Sequence, residues 1–324
     1  AGIQKWRRHV IVTLTPNPSL DRTIAIDDLR RGEVLRATSS RLDPGGKGVN
    51  VSRVLAAHGI PTLAVIPAGG SEGAQLADLL APSGVPVVSV PLSSRTRSNV
   101  ALVEPDGTTT KVNEPGPELI GTETAAMLER LVSFARSADW VVLSGSLPRG
   151  VPDDFYAQII TRVHDIGHRV AVDTSGAALR AAIAAAPDLI KPNADELAEL
   201  TGVELRTWAD VVEQADKLCT EGVGTVLVSL GAHGALLVDS TGVTRAYSPP
   251  VEVRSTVGAG DSTLAGFLAA GADGPEALRT AVAFGTAAVT LPGSAMPGPT
   301  DTHVDRVVVD EDPDLSRPLK GGVA

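Results

Sequence analysis

Aromatic side chains are scarce in this chain: Phe, Trp and Tyr make up 3% of its 324 residues. Proteins that hold single-stranded nucleic acid by base stacking need exposed rings, so the composition argues against that class. Cysteine is scarcer still. Cys219 stands alone, which excludes an intrachain disulfide and a thiolate zinc site. It lies in an apolar helical pattern with Val212, Ala215 and Leu218, where a thiol acts as a small hydrophobe rather than a nucleophile. The six histidines show no metal-ligand spacing. Positive charge is in deficit: 28 Lys and Arg against 38 Asp and Glu leave a net charge of −10, the wrong sign for a nucleic-acid-binding surface. A local cluster of cations can still hold a small anion. Long apolar runs are missing as well. The uncharged stretch 280–300 is broken by Gly285, Pro292, Gly293, Pro297, Gly298 and Pro299, and its apolar part is too short to cross a bilayer. Residues 1–9 are polar and basic, without the apolar centre of a secretory signal; the single cysteine fits a reducing compartment, and the expected setting is cytoplasmic.

What the chain does have is a large aliphatic fraction. Hydrophobic residues reach 43% and charged residues 20%, which fits a globular protein with a core of Ala, Val, Leu and Ile. The length fits one domain, residues 1–324. Short β-branched runs alternate with helical patterns. Strands are predicted over 10–14, 63–66, 85–90, 99–103, 140–143, 169–173, 189–191, 226–229 and 235–238. Helices are predicted to begin near Asn50, Gly73, Thr122, Asp153, Gly176, Asn193, Thr207, Gly260 and Gly274. Trp140-Val141-Val142-Leu143 and Val226-Leu227-Val228 are apolar throughout, as in strands buried on both faces. The fold class is therefore α/β, with a mainly parallel sheet covered by helices and ligands beyond the carboxyl ends of the strands. Two polar-alternating segments interrupt the pattern, with strands from about 18–40 and 92–115. The second folds back at Glu104-Pro105-Asp106-Gly107. Together they form either a small antiparallel lid or an edge hairpin. From Asp301 onward the chain is charged, contains proline and has weak periodicity, which predicts a loosely held tail.

The stretch Thr256-Val257-Gly258-Ala259-Gly260-Asp261-Ser262 carries the most chemistry. Leu264, Phe267 and Leu268 follow at helical spacing, so free amides of a first helical turn lie beside a carboxylate. Amides there hold negative charge, and Asp261 can take a proton from a hydroxyl. Those are the parts that move a phosphoryl group to an alcohol. Read alone, the segment is also a glycine-rich turn capped by Asp261. Pro44-Gly45-Gly46-Lys47-Gly48-Val49-Asn50 lets a ligand approach the backbone and adds a cation at Lys47 and a donor–acceptor at Asn50. It is not a Walker A loop. Asp21 can accept from vicinal sugar hydroxyls or simply end a turn. Arg97 and Lys111 lie on opposite arms of the hairpin and, with Lys47, form a candidate phosphate cluster or a set of solvated charges. After Lys191, Asn193 and Glu196 have capping-box spacing; the same residues can lie near a hydrated magnesium ion. Ser229, Gly231 and Gly234 follow another strand, where glycines line a nucleotide or close a tight turn.

Taken in order, these motifs resemble the PfkB branch of the ribokinase-like carbohydrate kinases, and within it the bacterial 1-phosphofructokinases and tagatose-6-phosphate kinases. The two signatures are Gly45-Gly46-Lys47-Gly48-Val49-Asn50-Val51 and Val257-Gly258-Ala259-Gly260-Asp261-Ser262. Asn17-Pro18-Ser19-Leu20-Asp21, Thr96-Arg97-Ser98-Asn99-Val100, Asn113-Glu114-Pro115-Gly116 and Ser144-Gly145-Ser146-Leu147-Pro148 support them. The resemblance implies a ribokinase-like fold, ATP and Mg2+ as requirements, potassium in some members, and a homodimer formed through the lid. It implies Asp261 as general base, with Gly258, Ala259 and Gly260 around the migrating phosphoryl group. Asp21, Gly46 and Asn50 would hold sugar hydroxyls, and Lys47, Arg97 and Lys111 the phosphate already on the sugar. Lys191, Asn193 and Glu196 would serve ATP phosphates and, through water, the metal, with Ser229, Gly231 and Gly234 beside the nucleotide. The implied reaction is phosphorylation of fructose 1-phosphate at its 6-hydroxyl, with tagatose 6-phosphate or fructose 6-phosphate as alternative acceptors. A non-catalytic sugar-phosphate sensor is a further rival, against which the intact Gly-Ala-Gly-Asp argues. One local departure is Thr15-Pro16-Asn17-Pro18, where many relatives have Thr-Leu-Asn-Pro; the extra proline stiffens the loop leading to Asp21.

Overall fold

Runs buried on both faces and half-polar runs build two different sheets. A computed structural model describes residues 10–319; the basic segment 1–9 lies outside them. The N-terminal half contains β1 (Ile11–Leu14), β2 (Ser19–Ala25), β3 (Ser39–Gly45), α1 (Lys47–Ala57), β4 (Thr62–Ala68), α2 (Gly70–Leu80), β5 (Val87–Pro91), β6 (Arg97–Val103), β7 (Thr109–Asn113) and α3 (Gly121–Ala135). Next come β8 (Trp140–Ser144), α4 (Phe155–His164), β9 (Arg169–Asp173), α5 (Gly176–Ile183), β10 (Leu189–Ile190), α6 (Ala194–Thr201) and α7 (Trp208–Thr220). The remainder is β11 (Thr225–Ser229), β12 (Ala235–Asp239), β13 (Gly242–Tyr247), α8 (Ala259–Ala269), α9 (Gly274–Val289) and β14 (Val308–Asp310).

The ten-stranded sheet is ordered β14-β13-β12-β11-β10-β9-β8-β1-β4-β5. From β5 to β11 neighbours run parallel, and β12, β13 and β14 add an antiparallel edge. Alternate side chains enter opposite cores. Val141, Leu143, Val170, Val172, Val226 and Val228 pack on one side, and Trp140, Val142, Ala171 and Leu227 on the other. That is why these strands carry no polar face. The chain winds outward from β1 in both directions, so the order reverses between β1 and β8, where open α/β sheets bind ligands.

The second sheet, the expected lid, has four strands, ordered β3-β2-β6-β7; β2–β3 and β6–β7 pair antiparallel as expected, whereas β2 and β6 run parallel. Its boundaries differ from the sequence reading. β2 ends at Ala25 and β3 runs on to Gly45, while the charged stretch 26–38 between them forms no strand. Asp27, Asp28, Arg30 and Arg31 offer no apolar alternation to pair. The tail expectation is also corrected. β14 joins the main sheet, and Trp208 N–H and Ala209 N–H donate to Arg317 O and Leu315 O at 3.0 and 2.9 Å.

Candidate active site

Strand ends and helix starts deliver polar residues to the carboxyl ends of the central strands of the main sheet. β9 ends at Asp173, which is buried. Its Oδ1 lies 2.9 Å from Lys47 Nζ, on the first residue of α1, and its Oδ2 lies 3.5 Å from Lys191 Nζ, just past β10. Burial alone would push the Asp173 carboxyl up, but the two ammonium groups outweigh it and hold it below the ordinary range. Burial likewise works against a charged Lys47, yet Asp173, Asp261 and Glu196 overcome it and raise that lysine's pKa.

Asp261 sits in the first turn of α8 and is 7% exposed. Its Oδ2 accepts from Asn50 Nδ2 at 2.8 Å, which joins the two signature segments across the fold. Burial and the Asp173 charge push its carboxyl up to about 6, with Asn50, Lys47 and Lys191 partly offsetting them. Gly258 caps α8 at φ 76°, in the left-handed region, and a Cβ there would also strike Met296. Ser262 N–H closes on Gly258 O at 2.8 Å, and Ala259 N–H reaches Thr256 O only at 3.4 Å. Among the described residues, the N–H groups of Gly260 and Asp261 find no hydrogen-bond acceptor. A Cβ on Gly260 would lie 3.2 Å from Lys191 Nζ, so these free donors and that cation adjoin. Free amides, two lysines and a buried carboxylate fit a phosphoryl group beside a general base.

The lid carries the next group of expected residues, and β3 runs directly into the Gly46–Lys47 start of α1. Asp21 Oδ1 accepts from Ser19 Oγ at 2.6 Å and from Asn99 Nδ2 at 2.9 Å. A Cβ on Gly45 would strike that carboxylate, so glycine is the residue that fits beneath it. The stiffened loop at Pro16 thus leaves Asp21 held by two hydrogen bonds, from Ser19 and Asn99. Arg97 is half-buried, and its Nη1 donates to Glu114 O at 3.0 Å. Its Nε is buried without a partner. Arg95 lies 3.3 Å from Glu114 Oε1. With Pro115 and Gly116 these residues line a cavity of about 260 Å³. Register puts Lys111 opposite Ala101, on the same face as Arg97, and leaves it exposed. Lys47, Arg97 and Lys111 each have a different setting. Lys47 is drawn to Asp173, because that buried carboxylate is the stronger partner, while Arg97 turns to Glu114.

Residues 15–301 match the pfkB family carbohydrate kinase profile. The chain belongs to that family. It is 38% identical over 299 residues to a 1-phosphofructokinase of Rhodobacter capsulatus, covering 89% of this chain and 93% of that one. It is 39% identical over 299 residues to the ATP-dependent 6-phosphofructokinase isozyme 2 of Escherichia coli K12, covering 90% and 96%. The crystal structure of phosphofructokinase-2 from Escherichia coli in complex with potassium superposes with a TM-score of 0.86 at 38% identity, over 90% of this chain and 96% of that one. The ribokinase-like architecture implied by the motifs is therefore the one this PfkB kinase has.

The remaining expected residues occupy the next strand ends. Asn193 caps α6. Its Oδ1 accepts from Glu196 N at 2.7 Å and its N–H donates to Glu196 Oε2 at 2.9 Å, so the capping box is real. Glu196 Oε1 remains 3.9 Å from Lys47 Nζ. Ser229 bridges to the Asn193 segment through Ser229 N–H to Pro192 O at 3.0 Å. Gly231 and Gly234 have φ of 55° and 89°, and a Cβ on Gly234 would strike Ala246 O. Gly46 has φ of 123° and packs over Thr15. A second cavity, about 290 Å³, opens past β13 between Ser248, Val251, Thr286, Ala287 and Thr290. Sequence reasoning gave no role to Asp173, nor to Asn99 and Glu114, which it named only within supporting motifs. The available signal for Asp173 was an acid ending an otherwise apolar strand.

Proposed function

We propose that this PfkB kinase transfers the terminal phosphoryl group of ATP to the 6-hydroxyl of fructose 1-phosphate, giving fructose 1,6-bisphosphate and ADP. The observation that carries this reading is the Asp261 carboxylate, raised to about 6, beside the free amides of Gly260 and Asp261. Asp261 takes the hydroxyl proton as the acceptor oxygen bonds to phosphorus and the bond to the departing ADP oxygen breaks. The two amides hold the oxygens of the migrating group, and Lys191 meets its charge. Lys47, held at Asp173, serves the same transfer point rather than the distal sugar phosphate. Asp21, Gly46 and Asn50 take the sugar hydroxyls. Arg97 takes the phosphate on the sugar, and Lys111 adds positive potential at the lid rim.

Lys191, Asn193, Ser229, Gly231 and Gly234 run along the nucleotide phosphates and ribose, and the 290 Å³ cavity receives the base. Magnesium, when bound, neutralises phosphate charge; Asn193 and Glu196 would hold it through water. Potassium, present in the Escherichia coli phosphofructokinase-2 structure, would belong near the second signature. The protein acts as a homodimer through the lid and works in the cytoplasm. Among the described residues no helix is long and apolar enough to cross a membrane.

The Rhodobacter capsulatus relative supports fructose 1-phosphate as acceptor, and the Escherichia coli relative supports the second reading, fructose 6-phosphate in a reversed pose. Coupled ADP release with fructose 1-phosphate, fructose 6-phosphate and tagatose 6-phosphate decides between them. The highest kcat/KM is expected with fructose 1-phosphate. A preference for either other sugar overturns the acceptor, and turnover of none overturns the kinase reading.

A further inference from the structure

The C-terminal segment reaches the nucleotide side of the molecule. Its carbonyls at Leu315 and Arg317 satisfy first-turn amides of α7, which no helical carbonyl can reach, and Leu319 N–H returns to Arg206 O at 2.7 Å. The residue held this way is Trp208, 1% exposed. The Arg317 guanidinium lies 5.3 Å from its ring centre, and that of Arg245 lies 4.4 Å from it. Arg245 is 6% exposed, also covers Tyr247 at 4.1 Å, and donates from Nη2 to His233 O at 3.2 Å. His233 lies inside the turn from Gly231 to Gly234, with its ring 6.1 Å from that of Trp208. Arg245 Nε and Trp208 Nε1 are buried without acceptors, so the stack stays in place through ring contacts and the His233 carbonyl.

We infer that residues 313–319 are a strap that positions the Gly231–His233–Gly234 turn for nucleotide, acting through Trp208 and Arg245. The inference rests on the proposed placement of nucleotide at that turn. Arg245 and Trp208 are positioning residues and touch no reacting atom.

The test compares wild type with a chain ending at Asp312, with Arg245→Met and with Arg317→Ala. It measures KM for ATP, KM for the sugar phosphate, kcat, and the Kd of ADP by calorimetry. KM for ATP and Kd for ADP should rise about tenfold in the first two variants, the loss expected of a desolvated cation–ring contact, and about threefold in Arg317→Ala, whose contact with the ring is exposed. The sugar KM and kcat should stay within about twofold of wild type. A folded variant with unchanged ATP KM overturns the strap, as does a proportional rise in both KM values. If the shortened chain fails to fold, the two full-length variants decide; Arg317 is exposed, so its replacement leaves the core untouched. Wild type that shows no ADP binding at all would instead overturn the nucleotide placement.

Discussion

Asp261 gains basicity at the expense of fold stability. Its folded-state carboxyl lies near 6, above the usual 3.8, so the folded protein binds this proton more tightly than the unfolded chain. Stability from this site is therefore fullest below about pH 4 and falls as pH rises toward 6. Asp261→Asn removes that penalty. Thermal unfolding should show a higher Tm than wild type at pH 8 and little gain at pH 4, while turnover falls ~10²–10⁴-fold. Retained turnover, or a Tm gain confined to acid, would sink the assignment. The kcat/KM of wild type should rise with pH through about 6 as the base ionises. Asn50→Ala removes a donor to the ionised form and should move that limb upward. In the proposed pose Lys47 and Arg97 meet opposite ends of the sugar. Lys47→Met should lower kcat and raise KM for ATP, whereas Arg97→Ala should raise KM for the sugar phosphate by ~10-fold or more. Matching patterns in both variants would return Lys47 to the distal phosphate.

Helix starts were legible in the sequence because glycine, small residues and capping pairs are local signals. The α8 start, the α6 capping box and both glycine signatures lie where the pattern puts them, within a turn. Asp173 was not legible, since its partners Lys47 and Lys191 meet it only after three separate strand and helix ends converge. β14 was missed because an edge strand needs no apolar alternation of its own and this one has only three residues, and β13 because the buried Arg245 interrupts its apolar pattern. The α6 box leaves a question that one substitution answers. Glu196→Gln keeps an acceptor for Asn193 N–H but removes the charge facing Lys47. If Glu196 serves metal and nucleotide, Tm should hold while the Mg2+ concentration needed for half-maximal rate rises several-fold. Unchanged Mg2+ dependence would leave Glu196 a cap alone. Packing between α8 and α9 is equally specific. A Cβ on Gly266 would press on Phe284 and Thr280 O, so Gly266→Val should destabilise by about 1–3 kcal/mol in denaturant titration.

At the scale of the whole molecule, the lid has two unlike faces. Register places Ser19, Asp21, Asp43, Arg97, Asn99 and Lys111 on one side. The opposite side carries Ile24, Leu42, Val100, Leu102 and Val112, the last 60% exposed. In the proposed pose the polar face meets substrate, and the other face, with half-buried Ile24, Leu42, Val100 and Leu102 and exposed Val112 and Arg22, is poorly matched to a free monomer. A second copy of the same face is self-complementary under two-fold symmetry, which is the physical reason for the proposed lid dimer. Leu102→Glu combined with Val112→Lys keeps every site-facing residue and places charges on the apolar side. In sedimentation the wild type should run as a dimer and the double variant as a monomer. The variant's KM for the sugar phosphate should rise because the lid loses its support, with kcat less affected. A monomeric wild type at micromolar concentration would refute the dimer, and a double variant that remains dimeric would move the interface away from the lid.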